Sequence, residues 1–177
     1  YDWSKIHGID ERFFTLPIMI DDTAGPSLVE VSAKARQMVS KGCKAIFLDY
    51  LQLVKGTSRN REQEVAEVAR GLKNIAKDLS VPVIALAQLN RGVEDKSDKR
   101  PGLSDLRESG EIENAADTVT FIVRPEYYKV DTFNYHGNNI STDGIAIIDI
   151  AKNRHAGTGD FLIGFDKPTV TFYDKKQ

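Results

Sequence analysis

The sequence predicts an α/β fold with a mainly parallel sheet flanked by helices, and three observations predict it. Apolar runs short enough to be strands occur at 45–48, 81–87 and 144–151, and each closes on polar residues. Strands apolar on both faces belong to sheets covered on both sides, as parallel sheets are. Helical apolar stripes lie before and between the first two runs, and such alternation of strand and helix marks layered α/β architecture.

Taken in order, Pro17-Ile18-Met19-Ile20 reads as a short strand ending at Asp21-Asp22. Ser27-Leu28-Val29-Glu30 is a capping box, with Ser27 as N-cap and Glu30 reaching back. Leu28, Val31, Ala35 and Met38 follow at helical spacing, and Gly42 stops the helix. Ala45-Ile46-Phe47-Leu48 is then a buried strand that leaves the core at Asp49. Ligands in open α/β sheets sit outside the carboxyl ends of strands, so Asp49 stands at the rim of a site. Two readings of it stay open here: an acid that holds Mg²⁺ through water in a nucleotide-hydrolysing motor, or an ordinary turn-forming Asp. The basic stretch from Lys55 to Arg61 is either a phosphate-touching loop or a solvated one. A helix over 61–79 buries Val65, Val68, Leu72, Ile75 and Leu79, and that stripe is core.

The second apolar strand ends at Gln88, a neutral amide suited to orienting water or sensing a γ-phosphate, and equally to capping a strand end. A charged surface loop over 91–102 leads to Ser104-Asp105-Leu106-Arg107-Glu108-Ser109-Gly110. Arg and Gly close together offer a charge and an unhindered amide, which position nucleic acid by its phosphates without reading its sequence. The stretch 125–143 holds Tyr127, Tyr128, Phe133, Tyr135 and His136. A hairpin between two strands with its aromatics packed on its own surface is the simpler account, and stacking on bases is the alternative. The third strand runs into Lys152-Asn153-Arg154, whose two cations point the same way on an extended segment. They form either a basic turn or a pair that reaches a phosphate across a subunit boundary, a task for which the planar fork of Arg is suited.

Composition bounds the rest. The 177 residues suffice for one core, and 41% hydrophobic with 28% charged content is ordinary for a globular chain. A net charge of −2 gives no global basic field of the kind that advertises nucleic-acid binding. One cysteine, Cys43, excludes an internal disulfide, and three scattered His allow no zinc spacing. No apolar run of about 18 residues is present, so no membrane span is expected. No Gly-x-Gly-x-x-Gly follows a strand, which disfavours a dinucleotide-binding dehydrogenase.

Ile46-Phe47-Leu48-Asp49-Tyr50-Leu51-Gln52-Leu53, Gln88-Leu89-Asn90-Arg91, Asp98-Lys99-Arg100-Pro101, the string from Ser104 to Gly110, and Lys152-Asn153-Arg154 occur in one order and spacing. In this the chain closely resembles the DnaB-type replicative helicases. The resemblance implies a RecA-like P-loop NTPase core, with 1–177 as a single, partial domain of a motor that moves along single-stranded DNA as a homo-hexamer. By that likeness Asp49 is the Walker B acid holding Mg²⁺ through water, and Gln88 is the γ-phosphate sensor. Lys152 and Arg154 are the finger pair, with Arg154 acting on the ATP of the neighbouring subunit. Arg107, Glu108 and Gly110 belong to the DNA-holding loop. ATP and Mg²⁺ as cofactors, primase and a helicase loader as partners, and the bacterial cytoplasm at the replication fork are implied in the same way.

One departure qualifies the resemblance. No Gly-x-x-x-x-Gly-Lys-Ser/Thr occurs, so the phosphate-cradling loop is missing, and the chain opens without Met at Tyr1. The expectation is the carboxyl-terminal part of a longer motor domain, incomplete on its amino-terminal side, with two strands lacking a neighbour and no ATP hydrolysis by these residues alone. A non-catalytic module that binds single-stranded DNA or docks onto a ring is the competing reading.

Overall fold

The computed structural model describes residues 15–96, 98–106 and 110–174. Helix α1 (Leu28–Ser40) starts at the predicted capping box: the Glu30 amide donates to Ser27 Oγ at 3.3 Å, and the Ser27 amide donates to Glu30 Oε2 at 2.8 Å. It ends before Gly42, whose φ of +103° is open to glycine and costly for other residues. Helix α2 (Arg61–Leu79) matches its predicted span. Asn60 caps it by accepting from the amides of Glu62 and Gln63, and Val65, Val68, Leu72 and Ile75 are buried. Gly71 is where α1 comes closest, since a Cβ there would lie 2.3 Å from the Leu28 side chain.

Strands β1 (Ile46–Leu48) and β2 (Val83–Ala85) pair in parallel, with Ile46 opposite Val83 and Leu48 opposite Ala85. Hydrogen bonds from the Leu86 amide to Leu48 O and from the Leu51 amide to Leu86 O, at 3.0 and 2.8 Å, carry the ladder past the strands. A second sheet holds β3 (Thr118–Val123), then, after the β4 (Thr132–Tyr135) and β5 (Asn138–Ser141) hairpin, β6 (Ile145–Asn153), β7 (Gly159–Asp166) and β8 (Thr171–Tyr173). Its order is β3-β6-β7-β8, antiparallel throughout. One apolar cluster joins α2, β1, β3 and β6 through residues that include Val68, Leu72, Phe121 and Ile147.

Three expectations need correction. Parallel pairing among the described strands is confined to β1 and β2, and for β6 and β7 the reason is plain: the turn over 154–158 is too short for the crossover that parallel neighbours require. The first two strands are also not buried on both faces. Ile46, Leu48, Val83 and Ala85 pack on the α2 cluster, whereas Phe47, on the opposite face by alternation, is 76% exposed. Finally, residues 17–20 form no strand. They pair with no strand among the described residues, and the segment is tied down instead where Asp21 meets Lys34 of α1 at 2.6 Å. The hairpin expected within 125–143 is present as β4 and β5, with Phe133 buried and Tyr127 exposed.

Candidate functional site

Asp49 follows β1 directly, and Gln88 lies three residues beyond β2. Since the two strands are parallel and in register, both residues leave the sheet at the same carboxyl edge, and both are exposed. The edge is fixed by Gln52, in the single 3-10 turn Leu51–Leu53. Its Nε2 donates to Gln88 O at 3.3 Å, and its Oε1 accepts from the Gln88 amide at 3.2 Å. One side-chain amide thus satisfies both main-chain groups of Gln88 where the ladder has ended, leaving the Gln88 side chain for another task. Arg61 in turn donates to Gln52 O at 2.6 Å.

Beyond Gln88 the chain is fastened to the next motif. Leu89 bridges Leu106, and the Asn90 amide donates to Asp105 O at 2.8 Å. Asp105 is buried; its carboxylate accepts from the Gly102 amide at 2.6 Å and pairs with Lys96. The Lys96 ammonium, with help from that amide, holds the Asp105 carboxyl below its usual range against the opposing effect of burial. Arg107 and Glu108 lie outside the described residues, while Gly110 opens helix α3 (Gly110–Ala115). The same loop is anchored a second time by Arg100, which pairs with Asp160 of β7 at 3.0 Å, where His136 also meets Asp160 at 2.6 Å.

Lys152 and Arg154 stand apart from this edge, at the end of β6. Both fold back onto their own chain: Lys152 Nζ donates to Glu113 O, and Arg154 Nη2 donates to Asn114 O, two carbonyls of the last turn of α3. Arg154 Nη1 also lies 3.4 Å from Asp117 Oδ1, whose carboxylate is paired with Lys73 of α2. The Lys73 hydrogen bond, backed by its charge and that of Arg154, keeps the Asp117 carboxyl below its ordinary value despite desolvation. The structure therefore brings Asp49 and Gln88 to one rim and joins Lys152 and Arg154 on another frame.

Three residues escaped the sequence reading. Gln52 had a signal, a polar residue between Leu51 and Leu53 close behind Asp49, and Asp105 lay inside a quoted motif. Asp117 had none, because Lys73 and Arg154, which define it, are distant in sequence.

The residues at the rim fit part of a nucleotide site. A single exposed carboxylate at a strand end suits Mg²⁺, which keeps its waters and takes one or two carboxylates together with substrate phosphates. No group of three His, Cys, Asp or Glu among the described residues is placed to form an all-protein metal cage.

Residues 1–174 match the family described as DnaB-like helicase C terminal domain. The replicative DNA helicase DnaC of Bacillus subtilis (strain 168) is 45% identical over 170 residues, covering 94% of this chain and 36% of that protein. The replicative DNA helicase DnaB of Geobacillus stearothermophilus is 42% identical, with the same coverage of each chain. Among solved structures, a DnaB-like replicative helicase studied with its interactions with primase superposes with a TM-score of 0.86 at 36% identity, over 99% of this chain and 42% of that one. A second, described as an ATPase domain, gives 0.87 at 35% identity, over 99% and 61%. The chain thus spans little more than a third of the length of these curated relatives.

Proposed function

The chain belongs to the DnaB-like helicase C-terminal domain family, and from that membership we propose that it forms part of the ATP-driven motor of a replicative DNA helicase. The motor works as a hexameric ring that unwinds duplex DNA by moving along one strand. The observation that carries this reading is the shared carboxyl edge of β1 and β2, where Asp49 and Gln88 both leave the sheet and Gln52 locks the Gln88 backbone.

The division of labour follows from the chemistry of each group. Magnesium with ATP, when bound, supplies charge stabilisation at the phosphate oxygens. Asp49 would hold that ion through its waters. Gln88 orients the attacking water and registers the γ-phosphate. Arg154, assisted by Lys152, brings positive charge to the phosphates of the adjoining subunit. Arg107, Glu108 and Gly110 hold the DNA backbone, and the bridge between Leu89 and Leu106 ties that string to the segment that carries Gln88 beyond β2. Residues 1–177 act as one part of a longer RecA-like domain. Primase and a loader are its expected partners at the replication fork of the bacterial cytoplasm, and no helix among the described residues is long and apolar enough to cross a membrane.

Single-strand binding by the full-length motor tests the DNA assignment. Arg107→Ala should weaken affinity equally for all sequences and flatten its dependence on salt, as expected for loss of a phosphate contact. A loss confined to particular sequences would instead mean that the loop reads bases.

A further inference from the structure

Asp117 sits where three elements meet. It follows α3 by two residues, precedes β3 by one, and reaches Lys73 on α2. Its backbone and its side chain both address the same partner: Asp117 O accepts from the Arg154 amide at 2.9 Å, and Asp117 Oδ1 faces Arg154 Nη1 at 3.4 Å. The remaining hold on the cation pair comes from Glu113 O and Asn114 O. The last carbonyls of a helix have no amide partner within it, so cations satisfy them without displacing a helical hydrogen bond.

The grip is graded. At 3.4 Å the carboxylate contact to Arg154 is long for a charge-assisted hydrogen bond, and both side chains are about two-fifths exposed, at 43% and 41%. Exposed pairs of this kind contribute little stability, so Arg154 can leave at small cost. Lys73 shares the same carboxylate at closer range and limits how firmly Asp117 holds the guanidinium. Asp117 is therefore badly placed to be a stability anchor for Arg154 and well placed to set its resting position.

We propose that Asp117 is a positioning residue for Arg154, seating the guanidinium on the end of α3 from which it is delivered to the neighbouring subunit. This rests on the reading of Arg154 as a charge supplied in trans. Because Lys73 on Oδ2 and Arg154 on Oδ1 share the single charge of one carboxylate, the proposal has a sign that a general loss of stability lacks. Removing the charge of Asp117 loosens Arg154, leaving its side chain to Asn114 O, whereas removing Lys73 leaves the whole charge of Asp117 to Arg154.

Trypsin cleavage of this chain at the Arg154–His155 bond, followed by mass spectrometry, reads that sign directly. Asp117→Asn should speed cleavage several-fold, and Lys73→Gln should slow it. Faster cleavage in both variants means that they only loosen the fold, and overturns the proposal. Should Asp117→Asn not fold, Lys73→Gln carries the test alone, since acceleration there contradicts competition for the carboxylate. In the full-length motor, Asp117→Asn should lower kcat roughly tenfold with KM for ATP unchanged, the size expected of a misplaced catalytic group. Asp117→Glu should recover most of the loss. In an Arg154→Lys background, which keeps the charge but not the fork, Asp117→Asn should add little, and a fully multiplied loss would overturn the positioning role. If Arg154→Lys leaves turnover unchanged, the trans reading of Arg154 fails, while the proteolysis still decides whether Asp117 seats it.

Discussion

The rim at Asp49 and Gln88 and the corner at Lys152 and Arg154 hold the groups we propose to act there in opposite ways. At the rim the backbone is clamped and the side chains are exposed: Gln52 takes both main-chain groups of Gln88, and Asp49 stands free of any ion pair among the described residues. At the corner the side chains themselves are engaged, on Glu113 O, Asn114 O and Asp117. Groups that act within their own subunit can be presented ready for use. Groups that act on a neighbour must be held somewhere until the neighbour is there, and a weak intramolecular dock does this at little cost in stability.

The contrast between rim and corner is most exposed to failure at Gln88. Gln88→Ala in the full-length motor should lower ATP turnover about a hundredfold with nucleotide binding retained, in line with loss of a preorganised polar group at developing charge. Retained turnover would remove Gln88 from the chemistry. A milder test is Gln52→Ala, which frees the Gln88 main chain but leaves its side chain, and should cost about tenfold in turnover. A loss larger than that of Gln88→Ala would mean that Gln52 acts directly and not only through Gln88.

The smallest expected effect is at Asp105, which supports the loop behind the rim. Its carboxyl is held low by Lys96 and the Gly102 amide, so its contribution to stability is complete above about pH 4 and fades as pH falls through the lowered value. Asp105→Asn should cost about 1–3 kcal/mol at neutral pH and flatten the acid limb of the stability profile. Thermal melts across that limb with no difference between the two proteins would show that Lys96 and Asp105 are a surface pair of no consequence.

Local codes were legible and distant ones were not. The capping box at Ser27 and Glu30, and the Val65, Val68, Leu72, Ile75 stripe, gave α1 and α2 because each signal lies within a few residues of what it specifies. That Asp49 and Gln88 follow β1 and β2 was legible for the same reason, as polar residues behind apolar runs. Burial on both faces was inferred from apolarity alone, and Phe47 and Ile84 show why that step fails: composition names the face that wants cover without naming what covers it. The antiparallel sheet was hidden because β7, with Gly159 and Gly164, carries a mixed pattern, and only its register against β6 makes it a strand. Asp117 is the extreme case, defined by partners on α2 and at the end of β6.

If one subunit completes the active site of the next, mixing subunits measures it most directly. Full-length Arg154→Ala protein should bind ATP but hydrolyse none, and when doped into unmodified rings it should depress turnover well beyond its share of the subunits. Turnover that falls only in proportion to the mutant fraction would show that Arg154 serves its own subunit or none, and would contradict completion in trans.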